Sequence, residues 1–417
     1  MQRRIPRLAA GALAAAGVLA LTACGSGFSG SSSSGSASGG LTSGKSALTV
    51  LIGSSGDAET AAVKSAVADW SSDSGTKATV QAASDLNQQL SQGFASGKPA
   101  DVFYLGADTF ANYAKQGSLL AYGDQLKNKD DFYDSLVTNF TYDKKLYCAP
   151  KDFSTLALEI NTKLWDAAGL TDADVPTTWD QLKTVAQKLT KGKVTGLVTS
   201  NEYQRLGAFM VEAGGNLMND DSTKATADTA ANTQALTYVQ DGLKSGWWKF
   251  TKDVGAGWGG EAFGKQQAAM TIEGNWITGA MKSDYPGVDY TVVKLPAGPS
   301  GEGTLQFTNC WGIAADSPNQ AAAVKLVEQL TSKDDQLAFG KAFGVMPSIE
   351  SAADGWKQEY PDYSAFIDSA SFAKGVPTAA GATDVVTDLN SKLGSLKTAD
   401  VAEVLGTAQK NLSALQG

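Results

Sequence analysis

Between Tyr142 and Trp165 two short apolar runs are held apart by one charged break that starts at a proline. Leu146–Ala149 reads as the end of a strand, because Pro150 lacks a backbone donor and cannot continue inside a central one. After Lys151 and Asp152 a second strand-like run, Thr155–Ile160, begins, and Asn161 can cap a helix that opens at Thr162. Two strands flanking a charged kink are what a chain uses to pass from one lobe to another. The rest of the sequence can be ordered on either side of that crossing.

Before the crossing, strand and helix signals alternate. Ala47–Ile52 is a continuous apolar run of the kind buried on both faces of a parallel sheet, and Gly53–Asp57 turns into a helix that runs from Ala58 to Trp70. A strand at Thr79–Val80, a helix at Leu86–Phe94 and a strand at Asp101–Leu105 follow, which predicts a mostly parallel sheet. Ligands gather at the carboxyl ends of such strands, here Ser54–Asp57, Ser84–Asp85 and Tyr104–Asp108. After the crossing, Trp179–Leu189 is a helix and Val194–Val198 a strand. Thr304–Ala315 resumes strand character, and helices are expected at Pro318–Leu330 and Asp334–Phe343 before a turn at Gly344–Ser348. The chain is longer than one hydrophobic core usually organises, so two lobes are expected. Its 45 glycines suit the many short turns of an α/β protein.

The amino terminus sets the compartment. Arg3, Arg4 and Arg7 precede the apolar run Leu8–Ala20, and Leu21 to Cys24 has the form of a lipobox, so residues 1–23 read as a cleaved signal peptide and Cys24 as the lipidated residue. The run is too short to span a bilayer, and no later stretch is apolar enough. Residues 24–45 read as a lipidated cysteine and a flexible Gly/Ser tether. Cleavage would take three arginines and move the net charge from −9 to −12, which argues against a nucleic-acid partner. Histidine is absent, so a His base and the usual His-type zinc sites are excluded, and no metal or other cofactor is expected. Cys148 and Cys310 remain for an oxidising compartment, where a pair tends to bond; spacing alone leaves two free buried thiols open.

The crossing resembles the first hinge of the carbohydrate-binding proteins that serve bacterial ABC importers, of the kind grouped as extracellular solute-binding protein family 1. Asn161–Trp165, Ala168–Leu170 and Pro176–Asp180 carry the likeness, and Phe263–Trp276 is a second strong match. The resemblance implies a two-lobe, periplasmic-binding-protein-like α/β fold of type II, with an interlobe cleft and hinge crossovers. Residues 46–150 plus 304–346 would form lobe 1, and 151–303 plus 347–417 lobe 2. It implies no enzyme, a monomer on the outer face of the cell membrane, a carbohydrate ligand and permease partners. Glu202 and Tyr203 inherit from it a role in touching sugar. The same alignment would bring Cys148 and Cys310 together near the hinge, where a bond would be worth about 4 to 5 kcal/mol on the chain-entropy estimate.

Sugars ask for flat aromatic faces and for planar amides or carboxylates that take paired hydroxyl hydrogen bonds. Trp258, Trp276, Trp311 and Tyr203 are the candidate platforms, and Asp57, Asp85, Asp108, Asp152, Glu202, Glu261 and Asn275 the candidate polar partners. Trp70, Trp165, Trp179 and Trp356 sit on helix faces and read as packing. Gly259–Lys265 has phosphate-loop spacing, but Gln266 stands where a Mg-binding hydroxyl belongs and no strand precedes it. Asp172 and Asp174 lack the rest of a calcium loop, and the sequons at Asn139 and Asn411 have no role behind a bacterial lipobox. Two rivals remain: a secreted glycoside hydrolase using two carboxylates, and the same fold binding a peptide, polyamine or other small solute. An amino acid or peptide ligand would call for an arginine to clamp its carboxylate, and Arg205 is the only one after Arg7.

Overall fold

The computed structural model describes residues 40–416; the signal segment, Cys24 and the tether up to residue 39 lie outside the described residues. Where two strands were expected at the crossing, one buried strand runs unbroken from Cys148 to Asn161. Its first half pairs antiparallel with the return strand Thr304–Ile313. Its second half pairs with Ala268–Gly274 on one side and Tyr290–Val293 on the other. One strand therefore belongs to both halves of the sheet.

Pro150 is accommodated by an irregularity. Asn309 lies opposite Asp152 and Cys310 opposite Pro150, so Lys151 is an extra residue in the ladder. On the other flank, Met346–Pro347 pairs only with Asp152 and Phe153. The missing donor falls where the pairing is already broken, and a proline is tolerated there.

The main sheet runs Ala78–Ala82, Leu48–Ile52, Val102–Gly106, Thr304–Ile313, Cys148–Asn161, Ala268–Gly274, Thr195–Thr199, Trp248–Phe250. The amino-terminal strands are parallel as expected, while the return strand runs antiparallel to Val102–Gly106, so the sheet is mixed. Helix Asp57–Ser74 lays Val63, Val67 and Trp70 on the first part of the sheet, in a core completed by Trp311, Ile313, Val324 and Val327. A second core gathers Leu156, Leu158 and Ile160 with Trp179, Phe209, Trp247 and Trp248. The carboxyl-terminal helices Ala382–Leu393 and Val401–Ser413 add Leu389 and Leu405 to it. A third cluster, with Phe153, Phe263, Met281, Trp356 and Phe366, lies near the long strand.

Cys148 and Cys310 are disulfide-bonded, which joins the long strand to the return strand across 162 residues of sequence. One expectation needs correcting: the end of the tether is not free. Thr42 donates from its hydroxyl to the Ser317 carbonyl and from its amide to Gln320, and Gly44 donates to Pro318, which fixes this segment before helix Gln320–Leu330. No helix among the described residues is long and apolar enough to cross a membrane.

Candidate functional site

A cleft of about 940 Å³ opens along the long strand, within the size range of small-molecule sites. One wall carries Gly53 and Ser55 from the first strand-to-helix turn. The floor is Lys151–Ser154 with Phe307–Asn309 of the return strand, and the other walls bring Asn275, Trp276, Tyr290, Phe343, Tyr360 and Tyr363. Of the sequence candidates, Asp152, Asn275 and Trp276 meet here.

Trp276 is the large hydrophobic side chain that the described fold leaves exposed, at 39%. It stands two residues beyond the end of the strand Ala268–Gly274 and lies edge-on to Phe307, with ring centroids 5.5 Å apart. Its indole N–H donates to Glu273 Oε2 at 2.9 Å, and the Arg205 guanidinium lies 5.1 Å from its ring. Gly274 permits this pose: a Cβ there would run into the Trp276 ring and stand 2.6 Å from Ser154 Oγ. Asn275 donates from its backbone to Ser154 Oγ at 3.1 Å and from its side-chain amide to the Gly344 carbonyl at 2.9 Å. The Ala268–Gly274 strand end is thereby tied both to the long strand and to the turn before Met346.

In the floor, Asp152 is part of a buried charge network that reaches the Ser55 wall. Lys151 Nζ contacts Asp152 and donates to Glu59 Oε1 at 3.1 Å, while its charge lies 4.4 Å from the Tyr104 ring centroid. Tyr104 donates to the same Glu59 oxygen at 3.0 Å, and Ser55 donates to Glu59 Oε2 from its amide and its hydroxyl, both at 2.7 Å. Burial works to raise the Glu59 carboxyl, but Lys151 and Ser55 outweigh it and hold it below its ordinary value. Burial pushes Asp152 up, with Lys151 pulling it partly back, and Lys151 itself is raised because Asp152, Tyr104 and Glu59 overcome its desolvation. The network positions the Ser55 turn at the cleft edge and pairs the charges of Lys151, Asp152 and Glu59 with one another.

The other candidates lie elsewhere. Trp311 is fully buried against Tyr104, centroids 4.6 Å apart, and is a core residue rather than a platform. Tyr203 is also fully buried, its hydroxyl donating to Asn216 Oδ1 at 2.5 Å. Trp258 is half-buried and covers Gly260. Glu261 pairs with Lys265 and accepts the Gly257 amide. Asp85 caps helix Leu86–Ala95, and Asp57 and Asp108 are exposed in the first turns of their helices. Glu202 is exposed at the start of helix Tyr203–Glu212. Asp172 and Asp174 lie in a one-turn segment capped by Thr171.

Sequence reasoning missed Glu59, Phe307, Asn309, Tyr290, Phe343, Tyr360 and Tyr363. For Glu59 a signal existed, since it stands one turn before Val63 on an otherwise apolar helix face, where acids are rare unless paired. The tyrosines had none, because they reach the cleft from separate turns and strand ends.

Residues 36–367 match the profile described as bacterial extracellular solute-binding protein. A binding protein of Brucella abortus (strain 2308) is 25% identical over 311 residues, which covers 70% of this chain and 74% of that protein. Among solved structures, the cyclic alpha-maltosyl-1,6-maltose binding protein of Arthrobacter globiformis superposes with a TM-score of 0.80 at 22% identity, covering 89% of this chain and 99% of its own. UgpB of Mycobacterium tuberculosis, solved in complex with glycerophosphocholine, gives 0.73 at 17% identity, covering 89% and 98%. At these identities the likeness is one of fold: two α/β lobes around a cleft, of the type II periplasmic-binding-protein class.

Proposed function

This chain belongs to the family of bacterial extracellular solute-binding proteins, and from that premise we propose that it captures a carbohydrate in the cleft and delivers it to the permease of an ABC importer. A lipid on Cys24 would hold it at the outer face of the cell membrane. The observation that carries the ligand class is the exposed ring of Trp276, fixed by its own hydrogen bond and presented to the cleft beside Phe307. Flat apolar faces with hydroxyl and amide groups around them, such as Ser55, Thr308 and Asn309, suit a pyranose.

Charge supports a neutral ligand. Arg205 is engaged by Glu273, so the one arginine after Arg7 is not free to clamp a carboxylate. Glu59 and Asp152 share Lys151 and are buried, with Ser55 and Tyr104 also donating to Glu59, so a polyamine would meet no open pair of carboxylates. A sugar touching both walls at once would favour the shut arrangement of the lobes, and closure is then a shift of population rather than a chemical step.

The test is tryptophan fluorescence with calorimetry on mono-, linear and cyclic oligosaccharides, with glycerophosphocholine, peptides and polyamines as controls. The expected result is saturable binding of a glycan that Trp276→Ala abolishes or weakens at least tenfold. Binding of a control alone would overturn the carbohydrate reading while leaving the family membership in place.

A further inference from the structure

Behind Trp276 lies a buried pair of acids that the ligand contacts do not use. Glu159 of the long strand stands opposite Thr271, and Glu273 stands opposite Ala157. Residues 157 and 159 share a face of the strand, so the two glutamates are diagonal neighbours on one side of the sheet. Both are fully buried. Glu159 Oε2 accepts the Glu273 backbone amide at 3.1 Å, which ties its carboxyl group to the backbone of its neighbour.

Glu273 Oε2 is saturated. It accepts from Arg205 Nε at 3.0 Å, Arg205 Nη2 at 2.7 Å and Trp276 Nε1 at 2.9 Å. Oε1 of Glu273 and Oε1 of Glu159 have no partner among the described residues. The first of these lies close under Gly259, where an added Cβ would stand 2.5 Å from both Glu273 Oε1 and Thr271 Oγ1.

The charges do not balance if both acids are ionised. Arg205, from helix Tyr203–Glu212, brings one positive charge; Glu202 at the start of the same helix adds a further acid, and Tyr290 on the strand beside Glu159 is neutral. Two buried carboxylates against one guanidinium leave an uncompensated charge, which a protein interior removes by retaining a proton. The tendency of each group agrees: burial and then the Glu273 charge push Glu159 well above the ordinary carboxylate range, whereas burial raises Glu273 and Arg205 pulls it back.

We propose that the buried pair Glu159 and Glu273 retains one proton, and that this pair together with Arg205 forms the seat that positions the Trp276 indole in the cleft. Arg205, Glu273 and Glu159 are then positioning residues, and their effect on ligand capture rests on Trp276 being the platform. Loss of the proton puts a second negative charge beside Glu273, pulls the guanidinium toward both acids and loosens the indole. Trp276 should therefore report the protonation of a residue it does not touch.

The test uses the ligand-free protein labelled with 5-fluorotryptophan, so it is independent of the ligand's identity. Fluorine NMR is followed from pH 5 to 10.5, the Trp276 line being identified by its loss in Trp276→Phe. The expected result is a single titration of that line above the usual carboxylate range, absent in Glu159→Gln. Arg205→Lys, which keeps the charge and loses the two-nitrogen grip, should displace the line at pH 7. A line flat throughout in the unmodified protein overturns the proposal, whether or not the Glu159 variant folds. So does a titration that survives in Glu159→Gln, or a line unmoved by Arg205→Lys. The carbohydrate reading fails separately, by the binding panel.

Discussion

Replacing Trp276 by alanine removes a half-open ring whose burial against a sugar is worth about 1.5 to 3 kcal/mol, so glycan affinity should fall about 10- to 100-fold with little change in melting temperature. Trp311→Ala should do the reverse. Its ring is wholly inside the first core, so about 3 to 5 kcal/mol of stability goes while the affinity of the folded fraction stays. Calorimetric titration and thermal unfolding on the two variants separate the roles. Sequence motifs drew attention to Trp276 because its neighbours form a local pattern, and the structure leaves its ring exposed in the cleft. They misplaced Trp311 for a reason of geometry: Phe307, Asn309 and Trp311 share one face of the return strand by simple alternation, but the cleft lies over the first two and helix Asp57–Ser74 packs over the third. Where a cleft ends and a covering helix begins is set by packing between segments far apart in sequence. Tyr290, Tyr360 and Tyr363 escaped for the same reason. Glu59 did not have to, since an acid on an apolar helix face already asks for a partner.

At the level of elements, the stretch read as two strands around a break is one continuous strand. Pro150 argues against a central strand only if the ladder around it is regular. Here the extra residue Lys151 breaks the register beside the proline, and the same irregularity accompanies the turn of Lys151 toward Glu59. The disulfide locks this region, because Cys148 and Cys310 join the two long strands on the amino-terminal side of the break. Reduction, or Cys148→Ser with Cys310→Ser, releases a cross-link spanning 162 residues. The chain-entropy estimate for such a loop is about 5 kcal/mol. Denaturant unfolding should show a lower midpoint by that amount of free energy, and the cleft should still bind its ligand below the new midpoint. A midpoint unchanged by reduction would mean that the reduced unfolded chain retains structure that restrains it as strongly as the bond does.

For the molecule as a whole, the buried acids decide how stability depends on pH. Burial raises Glu159 and Glu212 well above the ordinary glutamate value, and it raises Glu273 as well. Glu212 accepts the Trp179 indole N–H at 2.5 Å, and its other oxygen has no partner among the described residues. Glu212 keeps its proton, and the Glu159–Glu273 pair keeps one, in the folded protein at a pH where the unfolded chain has released them. The folded state then binds more protons, and stability falls as pH rises from the ordinary glutamate range through the raised folded value. Glu59, held low by Lys151 and Ser55 against the pull of its own burial, acts in the opposite sense and loses its contribution as pH falls below that range. The fold should thus be most stable toward the mildly acidic side and weaken toward alkaline pH. Glu212→Gln makes the contribution testable because the site is away from the cleft and the amide can still accept from Trp179. Over the interval in which Glu212 alone differs between the states, its removal should flatten the decline by about 1.4 kcal/mol per pH unit. Melting curves of both proteins from pH 5 to 9 would show the unmodified protein losing stability relative to Glu212→Gln as pH rises; parallel profiles would mean that Glu212 is ionised in the folded protein.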